Sequence, residues 1–358
     1  MKINVTQTYL PPQEEYQAYL KKAWENNWLT NRGELVEELE EKLRAYLGVQ
    51  HMTLTTNGTL PLQIALKTLE IKGEVITTPF SYVASVSSIV WEGCTPVFVD
   101  IDPEYWTLDE SKIEEAITEK TTAILATHVF GNACHVEAIQ SIADKHNLKV
   151  IYDGAHCFGV QYKGQSIFNY GDVSTCSFHA TKIFHTGEGG AWFTKDQELQ
   201  DKLFYHHNFG HKGQEAFHGL GINAKMSELQ AAMGLAVFDH IIEISEGRKK
   251  AVAIYDELLE GRDLQKIKLR AGTSPNYHYY PVVFKSEEEL LKVQKALNTE
   301  NIYPRRYFYP CLEELDYVVA NNCSVAQEIS KRVMCLPLWE SISPIDQQQI
   351  SKIIEACL

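Results

Sequence analysis

Apolar residues recur at helical spacing over two stretches near the N-terminus, about 12–27 and 34–47, the second starting after Thr30-Asn31-Arg32-Gly33. Beyond residue 50 the pattern changes to short apolar runs alternating with helical segments. Met52-Thr53-Leu54-Thr55 predicts a strand, and Gly58-Thr59-Leu60-Pro61 opens a helix running to about Leu69. Glu74-Val75-Ile76-Thr77-Thr78 predicts a strand stopped by Pro79, with a helix following from about Tyr82. Pro96-Val97-Phe98-Val99-Asp100 and Thr122-Ala123-Ile124-Leu125-Ala126 predict further strands, separated by a helix over 109–118. A helix at about 135–146 leads to the apolar run Val150-Ile151-Tyr152-Asp153. The β-prone run 171–176, the strand Ala191-Trp192-Phe193-Thr194 and a helix at about 197–207 complete the series. Such alternation implies an α/β fold, a mostly parallel sheet with helices on both faces. Sites in such sheets lie beyond the carboxyl ends of the strands, where Asp153 falls.

A long helix from about Lys225 to Ile244 then carries the chain into a different pattern. It comprises a strand at Tyr279–Phe284, a helix over 286–299, a Tyr/Pro/Arg-rich loop at 303–312 and a last helix from about Pro344 to Ala356. At 358 residues the chain exceeds one compact core. The expected division is a large domain at 1–249, including the N-terminal helical segment, and a small C-terminal α/β domain at 250–358.

The formal net charge of −14 disfavours nucleic acid or an anionic membrane as a partner, because phosphate binding needs clustered Lys and Arg. An anionic small molecule remains compatible, since a local pocket can oppose the global field. The N-terminus has no apolar stretch of the signal-peptide kind, and no apolar run reaches the roughly 18 residues needed to cross a bilayer, so a cytoplasmic protein is expected. Eight scattered cysteines without a Cys-x-x-Cys pair suggest neither a disulfide framework nor a zinc site, and no metal is expected.

The chemistry concentrates around Lys182, in Ser177-Phe-His-Ala-Thr-Lys182-Ile-Phe-His-Thr-Gly-Glu-Gly-Gly190. The glycines and the small or apolar neighbours argue for a tight, partly buried loop. A strand-end aspartate, Asp153, followed by a Ser-x-x-x-x-Lys loop is the layout that pyridoxal phosphate chemistry requires. The lysine carries the cofactor, and the carboxylate holds the pyridine nitrogen protonated so that the ring accepts electrons. Gly58 and Thr59, between a strand and a helix, form either a phosphate cradle or an ordinary turn capped by threonine. Ser177 is either a further phosphate donor or a plain loop serine. Tyr82 is placed to stack on a ring or to pack in the core. His156 either donates to the cofactor's phenolic oxygen or serves as a core or capping histidine.

Together these segments resemble the DegT/DnrJ/StrS family of pyridoxal phosphate-dependent sugar aminotransferases, of fold type I. The resemblance runs from Trp28-Leu29-Thr30 through Thr56-Asn57-Gly58-Thr59, the 96–102 strand, Tyr152-Asp153-Gly154-Ala155-His156 and the Lys182 segment to Gly221–Glu228 and Cys335-Leu336-Pro337-Leu338. It implies a seven-stranded-type sheet plus the smaller domain, with pyridoxal 5'-phosphate carried by Lys182. It also implies Asp153 as partner of the pyridine nitrogen, Tyr82 as the stacking aromatic, and Gly58, Thr59 and Ser177 as phosphate contacts. Asn223 matches an asparagine that reaches the cofactor phosphate of a neighbouring subunit, implying a homodimer with shared active sites. Two departures are His156, where glutamine is commonest, and Asn57, where serine is usual; the second is expected to leave the backbone cradle unaltered.

Dehydratase members carry histidine at the lysine position, so Lys182 implies transamination, with L-glutamate as amino donor and a nucleotide-linked keto-sugar as acceptor. The pattern favours C4 of dTDP-4-keto-6-deoxyglucose, for an amino sugar of an O-antigen-type polysaccharide or a glycoside. Amination at C3, a UDP- or GDP-sugar, a cyclitol and a non-catalytic regulatory role are the alternatives. Thr30, Lys225, Arg306 and Tyr309 are candidate substrate residues. The loop bearing Arg306 and Tyr309 combines guanidinium and aromatic groups, which suits a diphosphate and a base, though a solvated basic turn fits equally.

Overall fold

Seven strands form the central sheet in the computed structural model, which describes residues 2–358. They are β1 (His51–Thr55), β2 (Glu74–Thr77), β3 (Thr95–Phe98), β4 (Thr121–Thr127), β5 (Lys149–Asp153), β6 (Val173–Ser177) and β7 (Gly190–Thr194). Their order across the sheet is β1-β7-β6-β5-β4-β2-β3. All pairs are parallel except those of β7, which runs antiparallel to β1 and β6. The strands read as nearly continuous apolar runs because both faces are covered. Along β5, Val150 and Tyr152 enter one hydrophobic cluster and Ile151 the opposite one, as the twofold alternation of a strand requires.

Two of the expected helices differ from the observed ones. Residues 109–118 form only two single-turn 3-10 segments, Glu110–Lys112 and Glu114–Ala116. Ile113 is the only fully buried residue there, so no apolar stripe sustains a longer helix. The long helix expected over 225–244 is two, Glu228–Phe238 and Ile241–Leu258. The first begins at a capping box between Ser227 and Gln230, which leaves Lys225 outside it, bridged to Thr55. The helix Ser324–Arg332 was not expected from the pattern, nor was the hairpin His211–Lys212/Ala216–Phe217.

The smaller unit is built on an antiparallel sheet of Gln265–Lys266, Tyr280–Val283 and Val333–Leu336. The helices Glu287–Thr299 and Pro344–Cys357 contribute Leu290, Val293, Ile350 and Ile354 to its core. Ile3–Asn4 joins this unit too, pairing in parallel with Ile302–Tyr303. The helix Ile241–Leu258 spans both cores: Ile241 and Ile244 pack under the large sheet, Ala251 and Tyr255 in the small unit. The changeover falls close to residue 250.

A third apolar cluster joins the two units, with Phe80 and Trp106 from one side and Phe308 and Ile329 from the other. Asp100, just beyond β3, reinforces it. Its carboxylate accepts from Val325 N–H and Ala326 N–H at 2.9 Å each, in the first turn of Ser324–Arg332, where the helix dipole favours an anion. Asp100→Ala leaves both donors unpaired and is expected to cost about 2–3 kcal/mol, read as a lower urea midpoint. An unchanged midpoint would exclude this docking role.

Candidate active site

The carboxyl ends of β1, β5 and β6 open onto a cavity of about 230 Å³. β5 ends on Asp153 and β6 on Ser177, and the loop that follows β6 returns along its own start. Phe178 N–H donates to Gly189 O at 2.8 Å, Ala180 N–H to Gly187 O at 2.7 Å, and Lys182 N–H to His179 O at 2.8 Å. This folding brings Lys182 into the cavity wall, its Nζ 6.0 Å from the centre of the Tyr279 ring. Burial lowers the Lys182 ammonium to about 8, with the charge of Asp153 opposing the shift. The amine is thus partly neutral near physiological pH.

Asp153 is buried and accepts from the Ser85 hydroxyl at 2.6 Å and from Ala155 N–H at 3.0 Å. Ser85 continues to Ser81 at 2.8 Å and Ser81 to Thr127 at 3.0 Å. Opposite, Gly58 presses on the end of β6. A Cβ there would stand 2.6 Å from Ser177 Cβ and 2.9 Å from its Cα. Asn57 takes more of this turn than expected. Its carboxamide oxygen accepts from both Thr59 N–H and Leu60 N–H at 2.9 Å, so the backbone cradle is not left unaltered. Among the described residues, the donors left uncommitted here include Gly58 N–H and the hydroxyls of Thr59 and Ser177.

Aromatic groups wall the rest. Tyr82, the residue before the helix Val83–Trp91, is half exposed at the cavity mouth. The His156 ring is stacked parallel to Phe308, 5.7 Å between centres, and accepts from Phe130 N–H at Nδ1. Burial and the nearby Lys182 charge hold it neutral, well below the usual histidine range, which leaves the proton on Nε2. The small unit supplies Tyr279, Arg305, Tyr307 and Phe308.

Of the residues singled out from the sequence, Lys182, Asp153, Gly58, Thr59, Ser177, Tyr82 and His156 converge on this one cavity. Thr30, Asn223, Lys225, Arg306 and Tyr309 do not line it. Arg306 is the clearest correction. It is held by Glu287 at 2.6 Å and by the Lys331 carbonyl at 2.8 Å, and stacks on Tyr309, so its neighbour Arg305 is the guanidinium that reaches the cavity. Asn223 is exposed, and Lys225 donates to its carboxamide oxygen at 2.8 Å and to Asn208 at 2.9 Å. Sequence reasoning missed Ser85, Ser81 and Thr127; the Ser81-x-x-x-Ser85 spacing beside a helix start was their only signal.

A wider depression of about 1040 Å³ lies at the opposite end of the sheet, beside Lys149 and Asp172 at the starts of β5 and β6. Ion pairs such as Lys149–Asp172 at 3.6 Å and Lys202–Glu198 at 2.7 Å lie along it, and none of the converging residues borders it.

Residues 12–355 match the DegT/DnrJ/EryC1/StrS aminotransferase family. The chain is 42% identical over 348 residues to a dTDP-4-amino-4,6-dideoxy-D-glucose transaminase of Shigella dysenteriae, covering 95% of each. It is 39% identical to the Escherichia coli protein of the same name, covering 98% of each. Among solved structures, DesI in the presence of its TDP-sugar product superposes with a TM-score of 0.93 at 31% identity, covering 99% of this chain and 93% of that one.

Gly58→Ala is expected to push the β6 end outward and to lower stability by about 1–3 kcal/mol, the scale of overpacking a closed site. Thermal melts measure this, and a parental melting temperature would show that the turn can make room for a Cβ.

Proposed function

Since the chain belongs to the DegT/DnrJ/EryC1/StrS aminotransferase family, we propose that it transfers the amino group of L-glutamate to C4 of dTDP-4-keto-6-deoxyglucose. The observation that carries this reading is the convergence of Lys182, Asp153 and Gly58 on one cavity at the carboxyl ends of β1, β5 and β6. The two transaminases above are named for a dTDP-linked 4-amino sugar, which supports dTDP over UDP or GDP and C4 over C3.

The residues present fit pyridoxal phosphate. The Gly58 turn has no room for a Cβ and keeps three donors uncommitted, which suits a phosphate at a helix start. Asp153 is a buried acceptor suited to a ring N–H. Tyr82 would cover the ring face, and Nε2 of His156 would donate to the phenolic oxygen. When bound, the cofactor supplies a carbonyl that takes up amines and a ring that withdraws electrons from the carbon bearing them.

Within this arrangement Lys182 has two tasks. It anchors the cofactor, and once freed its Nζ takes the proton from Cα of glutamate. It is tethered within reach, and its acidity near neutrality suits it to accept and return a proton. Arg305 serves as the anchor for a carboxylate or diphosphate, since its fork matches either. The exposed Phe209, Phe217, Leu220 and Ile222 lie around Asn223 and support a homodimer in which this hairpin covers a second copy and Asn223 completes its site. Among the described residues no helix is long and apolar enough to cross a membrane, in keeping with work on nucleotide-linked sugars in the cytoplasm.

With pyridoxal phosphate the purified protein is expected to show a visible absorption band that shifts on adding glutamate and is absent in Lys182→Ala. A spectrum indifferent to glutamate would sink the proposal. Because the neutral amine is the reactive form, cofactor uptake by the apo protein should accelerate with pH and level off above a midpoint of about 8; a midpoint near the ordinary 10.5 would contradict the buried setting of Lys182. Arg305→Ala is expected to raise KM by about tenfold or more while sparing stability. Arg306→Ala should do the reverse, lowering stability by about 1 kcal/mol with KM unchanged. Steady-state kinetics with thermal melts separates the two.

A further inference from the structure

The buried hydroxyls behind Asp153 have no part in the scheme above, yet with Asp153 ionised they can share their protons in only one way. Ser85 Oγ lies 2.6 Å from Asp153 Oδ2, Ser81 Oγ 2.8 Å from Ser85 Oγ, and Thr127 Oγ1 3.0 Å from Ser81 Oγ. All four side chains are buried. An ionised carboxylate only accepts, so the single proton of Ser85 is committed to Asp153. Ser85 can then only accept from Ser81, and Ser81 only from Thr127. Three hydroxyl protons make three bonds that all point toward the carboxylate.

A proton on Oδ2 would require the whole ladder to reverse. Thr127 would then hold a buried hydroxyl proton with no acceptor, because Ser81 is the only partner of its Oγ1 among the described residues. Leaving such a donor unmet is costly, and a polarised chain resists reversal as a unit. A proton on Oδ1 would leave the ladder in place but would weaken the charge to which Ser85 O–H and Ala155 N–H donate. The donated bonds therefore favour the ionised form at either oxygen, and each oxygen retains capacity for one more donor from the cavity. The ladder also fixes the carboxylate in space. It links the first turn of the helix Val83–Trp91, the loop before it and the end of β4 to the end of β5.

We propose that Ser85, Ser81 and Thr127 are positioning residues that hold Asp153 as a pure acceptor, so that the proton it shares with the ring nitrogen of pyridoxal phosphate stays on the nitrogen. This rests on the function proposed above. Its effect is on the electron demand of the ring rather than on substrate binding.

Pyridoxal phosphate labelled with 15N at the ring and bound to the full chain reports the protonation of that nitrogen through its chemical shift. The parent protein is expected to keep the protonated shift between about pH 6 and 9, a window in which a loosened pair would titrate. Ser85→Ala should move toward the unprotonated shift within that window and bind the cofactor about tenfold more weakly. Ser85→Thr, which keeps the hydroxyl, should restore both. A Ser85→Ala protein with the parental shift and affinity overturns the proposal, whatever its melting temperature. Thr127→Val cuts the ladder at its far end and should move the shift in the same direction by a smaller amount. If Ser85→Ala does not fold, an unmoved shift in Thr127→Val overturns the proposal in its place. Failure of the parent protein to bind labelled cofactor would instead refute the aminotransferase reading itself.

Discussion

Asp153 is 5% exposed at the end of β5, where an unpartnered carboxylate would cost several kcal/mol, and much of the surrounding structure answers that demand. The helix Val83–Trp91 is set so that its first turn delivers Ser85, and the chain after β5 bends back so that Ala155 N–H meets the second oxygen. Parallel pairing places Asp153 opposite Thr127 on one side and Thr175 on the other. The same register brings Ser177, two residues beyond Thr175, to the level of the cavity. The chemistry therefore stands at this end of the sheet because the strands run the same way.

The opposite requirement acts on Lys182. A lysine drawn into a wall of aromatic rings loses solvation, and its ammonium falls to about 8 even though Asp153 opposes the shift. Burial thus outweighs the attraction of the carboxylate. A molecule with a net charge of −14 keeps a cavity whose lining includes Lys182, Arg305 and the uncommitted Gly58 N–H. The global charge therefore does not describe the site.

Closure of the cavity depends on the second unit. Tyr279, Arg305, Tyr307 and Phe308 come from beyond the helix Ile241–Leu258, which is continuous through both cores. Asp100 caps a helix of that unit, and the stack of Phe130, His156 and Phe308 crosses between the two. Packing energy is thus spent at the boundary that forms the site, and the same contacts that stabilise the junction orient His156.

The alternation of apolar runs and helical segments sufficed for the parallel sheet and its seven strands, because period-2 and period-3.6 patterns are local properties. Lys182, Asp153 and Gly58, which line one cavity, were legible as candidates for a related reason, as each lies at a strand end or a glycine-bounded turn. The break at Asp239-His240 and the short turns at 110–116 were not, since both depend on which side chains find a buried face. Arg305 and Arg306 are adjacent and chemically identical, and only the pairing of Arg306 with Glu287 decides which one reaches the cavity. Asn57 looked neutral until its carboxamide was seen to occupy two backbone donors. The Ser85–Ser81–Thr127 ladder joins residues up to 46 positions apart through hydroxyls common in any chain. The sequence by itself determined the strands of the central sheet and most of its helices, because these follow from local spacing and residue type. Only the tertiary structure decided which neighbours orient the side chains of the cavity, because hydrogen-bond partners are chosen by distance in space.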